Sequence, residues 1–519
     1  MSRSKLAGTI SSLVLVSVVV IPGGPAVAKA GCAPAKHPGG EWTSMPGSFN
    51  GHRNQTDEKE IGVVEAAGLT PVWTFSANAE TGVATNEITG YPIIADGCVY
   101  VGTSTGQQAD GYAFALNAET GEVVWRTKFP HGIYSTLAVT DGTVYAFVSQ
   151  HGDAKRKGPY VAAMDQDSGK VLWTTIVDTQ SGSDAVSSPV VFNGMVFVGV
   201  SGTAAEGDED ERFVFQGNFV LVDAKTGEII EKTYTIPRKK WKKGFAGGAI
   251  WSTLAADEET KYGYVGTGNP FNYDSEHKRT NAVLKIDLDR SRPTFGKIVA
   301  SYKGDVEEYF PQVGENFSCD PNDPVGAFLA GLECGRLDVD FGATANIFKD
   351  ADGRTLVGVG QKSGVYHVMD AKTMKPVWKQ VIGVPSAVGG IVGSTAFDGE
   401  NIYGPHTVGG YMWSLDQSGA HRWVSPFADG IHWGPPATYA NGVVYSVDLK
   451  GHLVGMDAAT GAQVLNYPML PETAPDAPIS WGGASVARNT VYATVGVGIT
   501  SAGLNSVPGG YVIAFGIDE

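Results

Sequence analysis

Apolar residues recur along the chain in short alternating runs that are separated by polar turns. Such runs predict β-strands, because alternate side chains of a strand point to opposite faces. Pairs of runs around a tight polar turn are typical of β-hairpins, as in PIIADGCVYVG, LAVTDGTVYAFV, PVVFNGMVFVGV and ATYANGVVYSVD. Further strands end in a turn and a bulky residue, as in FALNAETGEVVW, AAMDQDSGKVLW and HVMDAKTMKPVW. The pattern therefore predicts one repeated unit of four antiparallel strands.

The unit recurs with a period of roughly 45 to 48 residues. Four-stranded units of this length are typical of β-propeller blades, whose ring protects the strand edges. The units end at Trp125, Trp173, Glu231, a position near Val299, Trp378, Trp423 and Leu465. We interpret the tryptophans among them as packing wedges between blades. A lone run around Trp73, LTPVWTF, should complete an eighth blade with ASVARNTVYATVG and GYVIAFG. We therefore predict an all-β fold, an eight-bladed β-propeller of four-stranded antiparallel blades whose ring is closed by an N-terminal strand.

The first thirty residues differ from the rest of the chain. Arg3 and Lys5 precede an apolar run over residues 10–21, and small residues ending in AVAKA follow it. This order predicts a secretory signal peptide over residues 1–30 and a single propeller domain over residues 31–519. We therefore expect a secreted or periplasmic protein, and no later apolar run predicts a transmembrane segment.

Charge narrows the range of partners. The formal net charge is -16, so a role in binding nucleic acid is not expected. One basic cluster stands out, and it consists of Arg238, Lys239, Lys240, Lys242 and Lys243 around Trp241. Its two interpretations are a solvated loop and a docking surface for an acidic electron acceptor or polymer.

Four cysteines in an exported chain predict two disulfides. Cys319 and Cys334 lie in one segment rich in Gly, Pro and Asp, which favours a bond between them. Cys32 and Cys98 would then form the other disulfide. The alternative is that Cys98 is a buried thiol, because free cysteine packs as a small apolar side chain.

Residues 247–270 combine a predicted hairpin with two candidate ligand-binding residues. We expect strands over residues 251–255 and 262–266, joined by a polar turn. Because a hairpin returns to its start, Trp251 and Asn269 should lie on one rim although they are 18 residues apart. Trp251 offers a flat ring to a planar ligand, and Asn269 offers an oxygen to a hard cation such as calcium.

The repeat also predicts which residues share that rim. The positions that start each first strand are Thr89, Tyr134, Val186, Trp251, Gly342, Val392, Trp433 and Trp481. Three tryptophans and a tyrosine at one mouth of the central channel are more typical of a ligand pocket than of side chains that only fill space. The loops at the same rim add charged residues, which are Glu206, Asp338, Asp340 and Lys362.

These charged residues suggest metal and acid–base chemistry. Glu206, Asn269 and Asp338 offer hard oxygens for calcium, although five acids within residues 206–211 are also typical of a solvated charge run. Asp338 and Asp340 could divide the chemistry between them, so that one acts as a base while the other binds metal or faces away. Lys362 could pair with a ligand carboxylate or cap strand ends in water.

An ordered set of segments resembles a known family. These segments are EWTSMPGSFNGHRNQT with LTPVWTF, AIWST with GTGNP, DVDFGA, and GQKSGVYHVMDAKT. They resemble the pyrroloquinoline quinone (PQQ) dependent alcohol dehydrogenases, and most closely the polyvinyl alcohol dehydrogenase-like branch, over nearly the whole mature chain. The resemblance implies an exported quinoprotein that oxidises an alcohol, secondary or polymeric, by hydride transfer to PQQ while a metal ion polarises the quinone.

The resemblance also implies roles for individual residues. Trp251 would be the floor under the quinone, Lys362 would contact the cofactor's oxygens, and Asp338 would be the base that takes the alcohol proton. The cofactor-binding set implied by the rim is Trp251, Lys362, Trp433 and Trp481. The metal-binding set is Glu206, Asn269, Asp338 and Asp340. Calcium is the first choice of metal. A lanthanide is the alternative, because Asp340 resembles the extra aspartate of lanthanide-using relatives.

The sequence also departs from this family. The adjacent cysteine pair common in the family is missing, and Gln216 stands where the family tends to carry Arg. No C-x-x-C-H haem motif occurs, so electrons would pass to a separate acceptor such as a cytochrome c. The rival hypothesis is a non-catalytic propeller that acts as a binding or envelope-assembly scaffold, and a third is a propeller enzyme of another chemistry such as a lyase.

Overall fold

A computed structural model describes residues 31–32, 37–83, 87–104, 110–149, 157–203, 214–304, 339–385, 389–407, 409–426, 436–448, 450–469, 482–496 and 509–517. Eight separate sheets lie within these residues, and each contains four antiparallel strands. The eight-bladed β-propeller predicted from the repeat is therefore confirmed. The predicted signal peptide, residues 1–30, lies outside the described residues.

Two strands precede the first complete blade, and they are β1 (Asn54–Gln55) and β2 (Thr70–Ser76). Blade 1 contains β3 (Ile93–Ala95), β4 (Cys98–Thr103), β5 (Gly111–Asn117) and β6 (Val123–Phe129). Blade 2 contains β7 (Ala138–Thr140), β8 (Thr143–Val148), β9 (Tyr160–Asp165) and β10 (Val171–Ile176). Blade 3 contains β11 (Val190–Phe192), β12 (Met195–Val200), β13 (Asn218–Asp223) and β14 (Ile229–Tyr234). Blade 4 contains β15 (Ala255–Ala256), β16 (Tyr262–Gly266), β17 (Ala282–Asp287) and β18 (Ile298–Lys303).

The second half of the ring repeats this order. Blade 5 contains β19 (Asn346–Lys349), β20 (Thr355–Gly360), β21 (Val365–Asp370) and β22 (Pro376–Val381). Blade 6 contains β23 (Ala396–Phe397), β24 (Asn401–His406), β25 (Tyr411–Asp416) and β26 (His421–Pro426). Blade 7 contains β27 (Thr438–Ala440), β28 (Val443–Val447), β29 (His452–Asp457) and β30 (Gln463–Pro468), and β1 adds to β27 in parallel. Blade 8 contains β31 (Ala484–Ala487), β32 (Thr490–Val495) and β33 (Tyr511–Gly516).

The N-terminal strand closes the ring as predicted. Strand β2 pairs antiparallel with β33, from Thr70 opposite Gly516 to Ser76 opposite Tyr511. The last blade is thus built from both ends of the chain, so that the ring cannot open without breaking a strand pair.

Within the described residues the helices are few and short. They include α1 (Val63–Ala66), α2 (Ala77–Thr81), α3 (Arg238–Trp241) and a 3₁₀ turn over Tyr273–Ser275. None of the helices in the described segments is long and apolar enough to cross a bilayer.

Tryptophans at the ends of the units pack between blades. The indole N–H groups of Trp125, Trp378 and Trp423 donate to backbone oxygens of the next blade at 2.8, 3.1 and 2.8 Å. Each ring also lies against a turn glycine of that blade: a β-carbon on Gly169 would stand 2.5 Å from the ring of Trp125. These residues therefore act as packing wedges, as the repeat predicts.

A strap formed by residues 42–55 crosses the end of the ring. It hydrogen-bonds the first strands of seven blades in chain order, at Ile94, Val139, Ala256, Ile347, Phe397, Tyr439 and Val486. It reaches the remaining blade through Phe49, whose ring lies 5.2 Å from that of Phe192. Trp251 comes before the first strand of blade 4. The strap instead hydrogen-bonds to the far ends of the first strands, next to the turns that lead to the second strands. Trp251 and the strap therefore lie toward opposite ends of the channel.

Cys32 and Cys98 form a disulfide, which confirms that predicted pair and shows that the alternative of a buried Cys98 thiol is wrong. Their Cα atoms are 5.1 Å apart, and 66 positions separate them in sequence. The bond attaches the N-terminal segment to β4. The other predicted pair, Cys319 with Cys334, lies outside the described residues.

Candidate functional site

The hairpin that carries Trp251 differs from the prediction in its first strand. Strand β15 covers only Ala255–Ala256, whereas β16 covers Tyr262–Gly266 as predicted. The hydroxyl of Ser252 replaces the missing strand pairing, since it accepts from the Gly266 N–H at 2.9 Å and donates to the Gly266 carbonyl at 3.0 Å. Trp251 therefore lies in an irregular segment, and side-chain contacts orient it.

Two backbone hydrogen bonds hold the segment before Trp251 against the segment that carries Asn269. The Gly268 N–H donates to the Ala249 carbonyl at 2.8 Å, and the Gly248 N–H donates to the Asn269 carbonyl at 2.9 Å. Asn269 itself is buried. The predicted placement of Trp251 and Asn269 on one rim is therefore confirmed.

Trp251, Asp340 and Lys362 form the centre of the site. Trp251 Nε1 donates to Asp340 Oδ2 at 2.7 Å, and Lys362 Nζ lies 3.7 Å from the same oxygen. The ammonium group also stands 5.4 Å from the centroid of the Trp251 ring. Asp340 is 3% exposed and Lys362 is 8% exposed, so both charges are held largely out of water. The Trp251 ring itself is half-buried, and the Asp340 carboxylate and the Lys362 ammonium group lie beside it.

Two glycines leave the space that the side chains of Trp251 and Asp340 occupy. A β-carbon on Gly342 would stand 1.8 Å from Cη2 of Trp251, so that the indole occupies the space of the absent side chain. A β-carbon on Gly268 would stand 3.1 Å from Asp340 Oδ2, which places the carboxylate against the residue before Asn269. The repeat places Gly342 at the rim position after Trp251, but gives no sign that it seats the ring.

The segments that carry Asp340 and Lys362 are joined directly. The Lys362 N–H donates to the Asp340 carbonyl at 3.0 Å. Behind them lies His367, whose ring nitrogens lie 2.9 Å from Gln361 Oε1 and 3.0 Å from Tyr302 Oη. Burial lowers the pKa of His367 to about 3, so the ring is neutral at ordinary pH. This buried network fixes the turn from which Lys362 projects.

Gln216 supports the site from the other side. Its side-chain amide donates to the Phe245 carbonyl at 2.9 Å, and its backbone forms a parallel bridge with Gly247. Its N–H donates to Gln180 Oε1 at 3.0 Å. At the position where the family resemblance implies an arginine, this chain thus uses a neutral amide to hold the loop that leads to Trp251.

Four predicted site residues lie outside the described residues, and they are Glu206, Asp338, Trp433 and Trp481. Their roles stay predictions. The described part of the predicted site comprises Trp251, Asp340 and Lys362 in contact, with Asn269 in the adjoining loop.

A buried glutamate that the sequence pattern did not single out lies on blade 1. Glu87 is 2% exposed, and its backbone pairs with that of Ser104 just after β4. Burial raises the pKa of Glu87 to about 7. The pKa of Tyr134, on the predicted rim, rises to about 12, first through burial and then through the charges of Asp184 and Glu87. The only sequence sign of Glu87 is its place two residues before the rim position Thr89.

The raised pKa of Glu87 predicts that the stability of the fold depends on pH. Its folded pKa of about 7 lies above the ordinary value of 4.5, so its protonated form favours the fold. This contribution is complete below about pH 4.5, is lost as the pH rises to about 7, and amounts to about 3 kcal/mol. Urea unfolding between pH 4.5 and 7.5 should therefore show a smaller loss of stability in Glu87→Gln than in the native protein. Equal losses in both proteins would show that Glu87 titrates normally.

The fold and the rim define a class: an eight-bladed propeller with an indole, a carboxylate and a lysine at one mouth of its channel. The profile of the PQQ_2 family, described as "Outer membrane protein assembly factor BamB", matches residues 57–253 and 408–494, just over half of the chain. The chain belongs to this family of PQQ-type propellers.

Individual curated relatives include alcohol dehydrogenases, as the sequence segments predict. The chain is 28% identical to the polyvinylalcohol dehydrogenase of Sphingopyxis sp. (strain 113P3) over 68% of this chain and 57% of the relative. It is 26% identical to methanol dehydrogenase [cytochrome c] subunit 1 of Methylorubrum extorquens over 49% of this chain and 44% of the relative. The chain thus spans about half the length of these curated relatives.

A solved structure shares the fold. The quinohemoprotein alcohol dehydrogenase from Comamonas testosteroni superposes with a TM-score of 0.68, covering 94% of this chain and 82% of that chain. The two are 17% identical, so this likeness concerns the fold alone.

Proposed function

We propose that this protein is an exported quinoprotein that oxidises an alcohol, secondary or polymeric, with PQQ as its cofactor and calcium as its metal. The observation that carries the proposal is the Trp251 ring bordered by Asp340 and Lys362. The 28% identity to a polyvinylalcohol dehydrogenase supports the substrate class.

The described residues fit a planar anionic cofactor. Trp251 is half-buried and seated against Gly342, so its ring is fixed in one orientation, as stacking requires. Lys362 holds its ammonium group 5.4 Å from the ring centroid, within reach of the oxygens of a stacked ligand. Trp433 and Trp481 are the further rim residues that we assign to the cofactor.

The donor set fits a hard cation. Asp340 and Asn269 offer a carboxylate and an amide oxygen from adjoining segments, and Glu206 and Asp338 are the further ligands that we assign from the sequence. Calcium takes six to eight oxygen ligands, and a lanthanide, which is also a hard cation, is the alternative. When bound, PQQ supplies a quinone carbonyl that accepts hydride and the cation polarises it.

The chain's own residues would then hold and orient the reactants. We assign Asp338 as the base whose carboxylate takes the proton from the alcohol hydroxyl. Asp340 Oδ2 fixes the indole N–H of Trp251 and balances Lys362, and both charged residues are buried, where their electrostatic effect on a bound ligand is strong.

Electrons must leave the site to another molecule. No haem-attachment motif occurs in the sequence, and the methanol dehydrogenase relative carries cytochrome c in its name. We therefore assign a separate acceptor such as a cytochrome c.

The second candidate function is a non-catalytic scaffold for envelope assembly. The description of the matching family profile favours it. A scaffold, however, does not require an aspartate and a lysine buried beside an indole at the channel mouth, and such desolvated charges are costly to keep without a function.

Reconstitution tests the proposed function. The purified mature protein would be incubated with PQQ and Ca²⁺, and alcohol-dependent dye reduction would be measured with primary, secondary and polymeric alcohols. We expect turnover that needs both additions and is strongest with secondary or polymeric alcohols. Failure to bind PQQ together with absence of turnover would favour the scaffold.

A further inference from the structure

We propose that an exposed basic surface beside the channel mouth docks an acidic protein, and that this partner is the electron acceptor. The basic surface consists of Arg238, Lys239, Lys240, Lys242 and Lys243, on and after helix α3. The identity of the partner as an acceptor rests on the proposed function, whereas the docking of an acidic protein rests on the surface itself.

Aromatic rings hold two of these cations, Arg238 and Lys240, in place. The guanidinium of Arg238 lies 5.1 Å from the Tyr234 ring centroid and 5.2 Å from that of Trp241. Lys240 Nζ lies 4.9 Å from the centroid of Phe245. A merely solvated charge run would leave its side chains to move freely, whereas these are positioned before any partner arrives. Such order lowers the entropic cost of binding.

The positive charge of the surface is not neutralised locally. Two neighbouring carboxylates already have other partners: Asp178 pairs with Lys232, and Glu276 pairs with Lys303. Within the described residues, none of the five cations of the basic surface forms an ion pair. Asp274, an exposed acid on the neighbouring 3₁₀ turn, is not among the ion-paired carboxylates of the described residues.

The pKa of His277 reflects the positive electrostatic potential near the basic surface. Burial is the first cause that lowers its pKa to about 4, and the positive charges of Arg279, Lys240, Lys278 and Lys303 lower it further. The ring of Phe245 contacts His277 edge-on at 6.0 Å, so this field belongs to the same surface. Lys278 and Arg279, which follow the 3₁₀ turn, thus add positive charge close to the basic surface.

The surface adjoins the candidate site. Asn272 Nδ2 donates to the Gly244 carbonyl at 3.0 Å, and Ser275 Oγ donates to the Lys243 carbonyl at 3.1 Å. Both partners follow Asn269 by a few residues. The surface also lies in the connection between the last strand of blade 3 and the first strand of blade 4, which is the end of the ring that carries Trp251.

The distribution of charge on this chain favours a compact acidic protein as the partner. The chain has a formal net charge of -16, so an acidic partner is repelled everywhere except at a local basic surface, which would both attract and orient it. The cations are confined to one connection between blades. A compact acidic patch on a protein fits such a surface, whereas a long polyanion would need a continuous track of cations.

The test compares two variants that reverse three lysines each. One is Lys239→Glu, Lys242→Glu and Lys243→Glu on the basic surface. The matched control is Lys225→Glu, Lys372→Glu and Lys375→Glu, which are exposed lysines in turns between third and fourth strands, at the opposite end of the ring. The probe is a c-type cytochrome of acidic isoelectric point, and its affinity is measured by surface plasmon resonance, which needs no turnover.

We expect the surface variant to bind the cytochrome at least about tenfold more weakly at low salt, with a shallower dependence on ionic strength, while the control stays within about twofold. Equal weakening in both variants, or none in either, would overturn the proposal. Stronger retention of an acidic polysaccharide than of the cytochrome would also overturn it in favour of a polymer partner. Dye reduction by the surface variant should equal that of the native protein, and its absence in both proteins would refute the proposed function separately.

Discussion

Asp340→Asn is expected to raise the apparent dissociation constant for Ca²⁺ about 100-fold and to lower alcohol-dependent dye reduction by a similar factor. The substitution keeps the shape of the side chain and leaves an oxygen that can accept from Trp251 Nε1, which now donates at 2.7 Å. It removes the negative charge that lies 3.7 Å from Lys362 Nζ and the charged oxygens offered to a cation. Because both residues are buried, we also expect a loss of about 3 kcal/mol in unfolding free energy.

Calcium titration by calorimetry and urea unfolding measure the two effects separately. Asp352→Asn is the matched control, because Asp352 is an exposed acid in the turn between β19 and β20, at the end of the same blade opposite to the site. The control should leave both quantities unchanged. An unaltered calcium affinity in Asp340→Asn would exclude Asp340 from the metal site.

Gly342→Ala is expected to abolish PQQ binding at micromolar concentrations. The added β-carbon would stand 1.8 Å from Cη2 of Trp251, far inside contact distance, so the ring must leave its position. The hydrogen bond to Asp340 would break with it, and overpacking of this kind costs about 1–3 kcal/mol of stability.

Gly68→Ala is the matched control for this substitution. A β-carbon there would stand 3.6 Å from the nearest atom, which is an ordinary contact. Quenching of tryptophan fluorescence by added PQQ compares the variants. Normal quenching in Gly342→Ala would mean that Trp251 is not the floor of the cofactor site.

The repeat in the sequence is sufficient to predict the ring. Each blade is built from contacts between residues close in sequence, so hairpins and strand ends leave a clear periodic pattern. Even the closing contact between β2 and β33 was predictable, because the lone strand around Trp73 had no local partner. The strap was not predictable, since its hydrogen bonds follow the circumference of the ring and leave no periodic pattern in residues 42–55.

The candidate site was predictable in its parts and less so in its arrangement. Trp251 and Asn269 could be paired, because a hairpin joins them locally. The contact of Trp251 with Asp340 depends instead on how blade 5 meets blade 4, which no local pattern encodes. For the same reason Gly342 could be aligned as a rim position, while its role as the seat of the indole required three-dimensional contacts.

The first strand of the hairpin was predicted too long for a local reason. The residues around Trp251 have the composition of a strand, but the hydroxyl of Ser252 satisfies both backbone groups of Gly266. A side chain that imitates a ladder partner removes the need for a strand at that point. Trp251 therefore lies outside the sheet, where its indole N–H donates to Asp340.

Binding of PQQ together with a metal ion at the rim around Trp251 can be measured by calorimetric titration of the metal-stripped protein with PQQ, with and without added Ca²⁺. We expect one PQQ bound per chain in the presence of Ca²⁺ and an affinity at least about tenfold lower in its absence. Absence of binding under both conditions, or equal affinity in the two, would contradict this expectation.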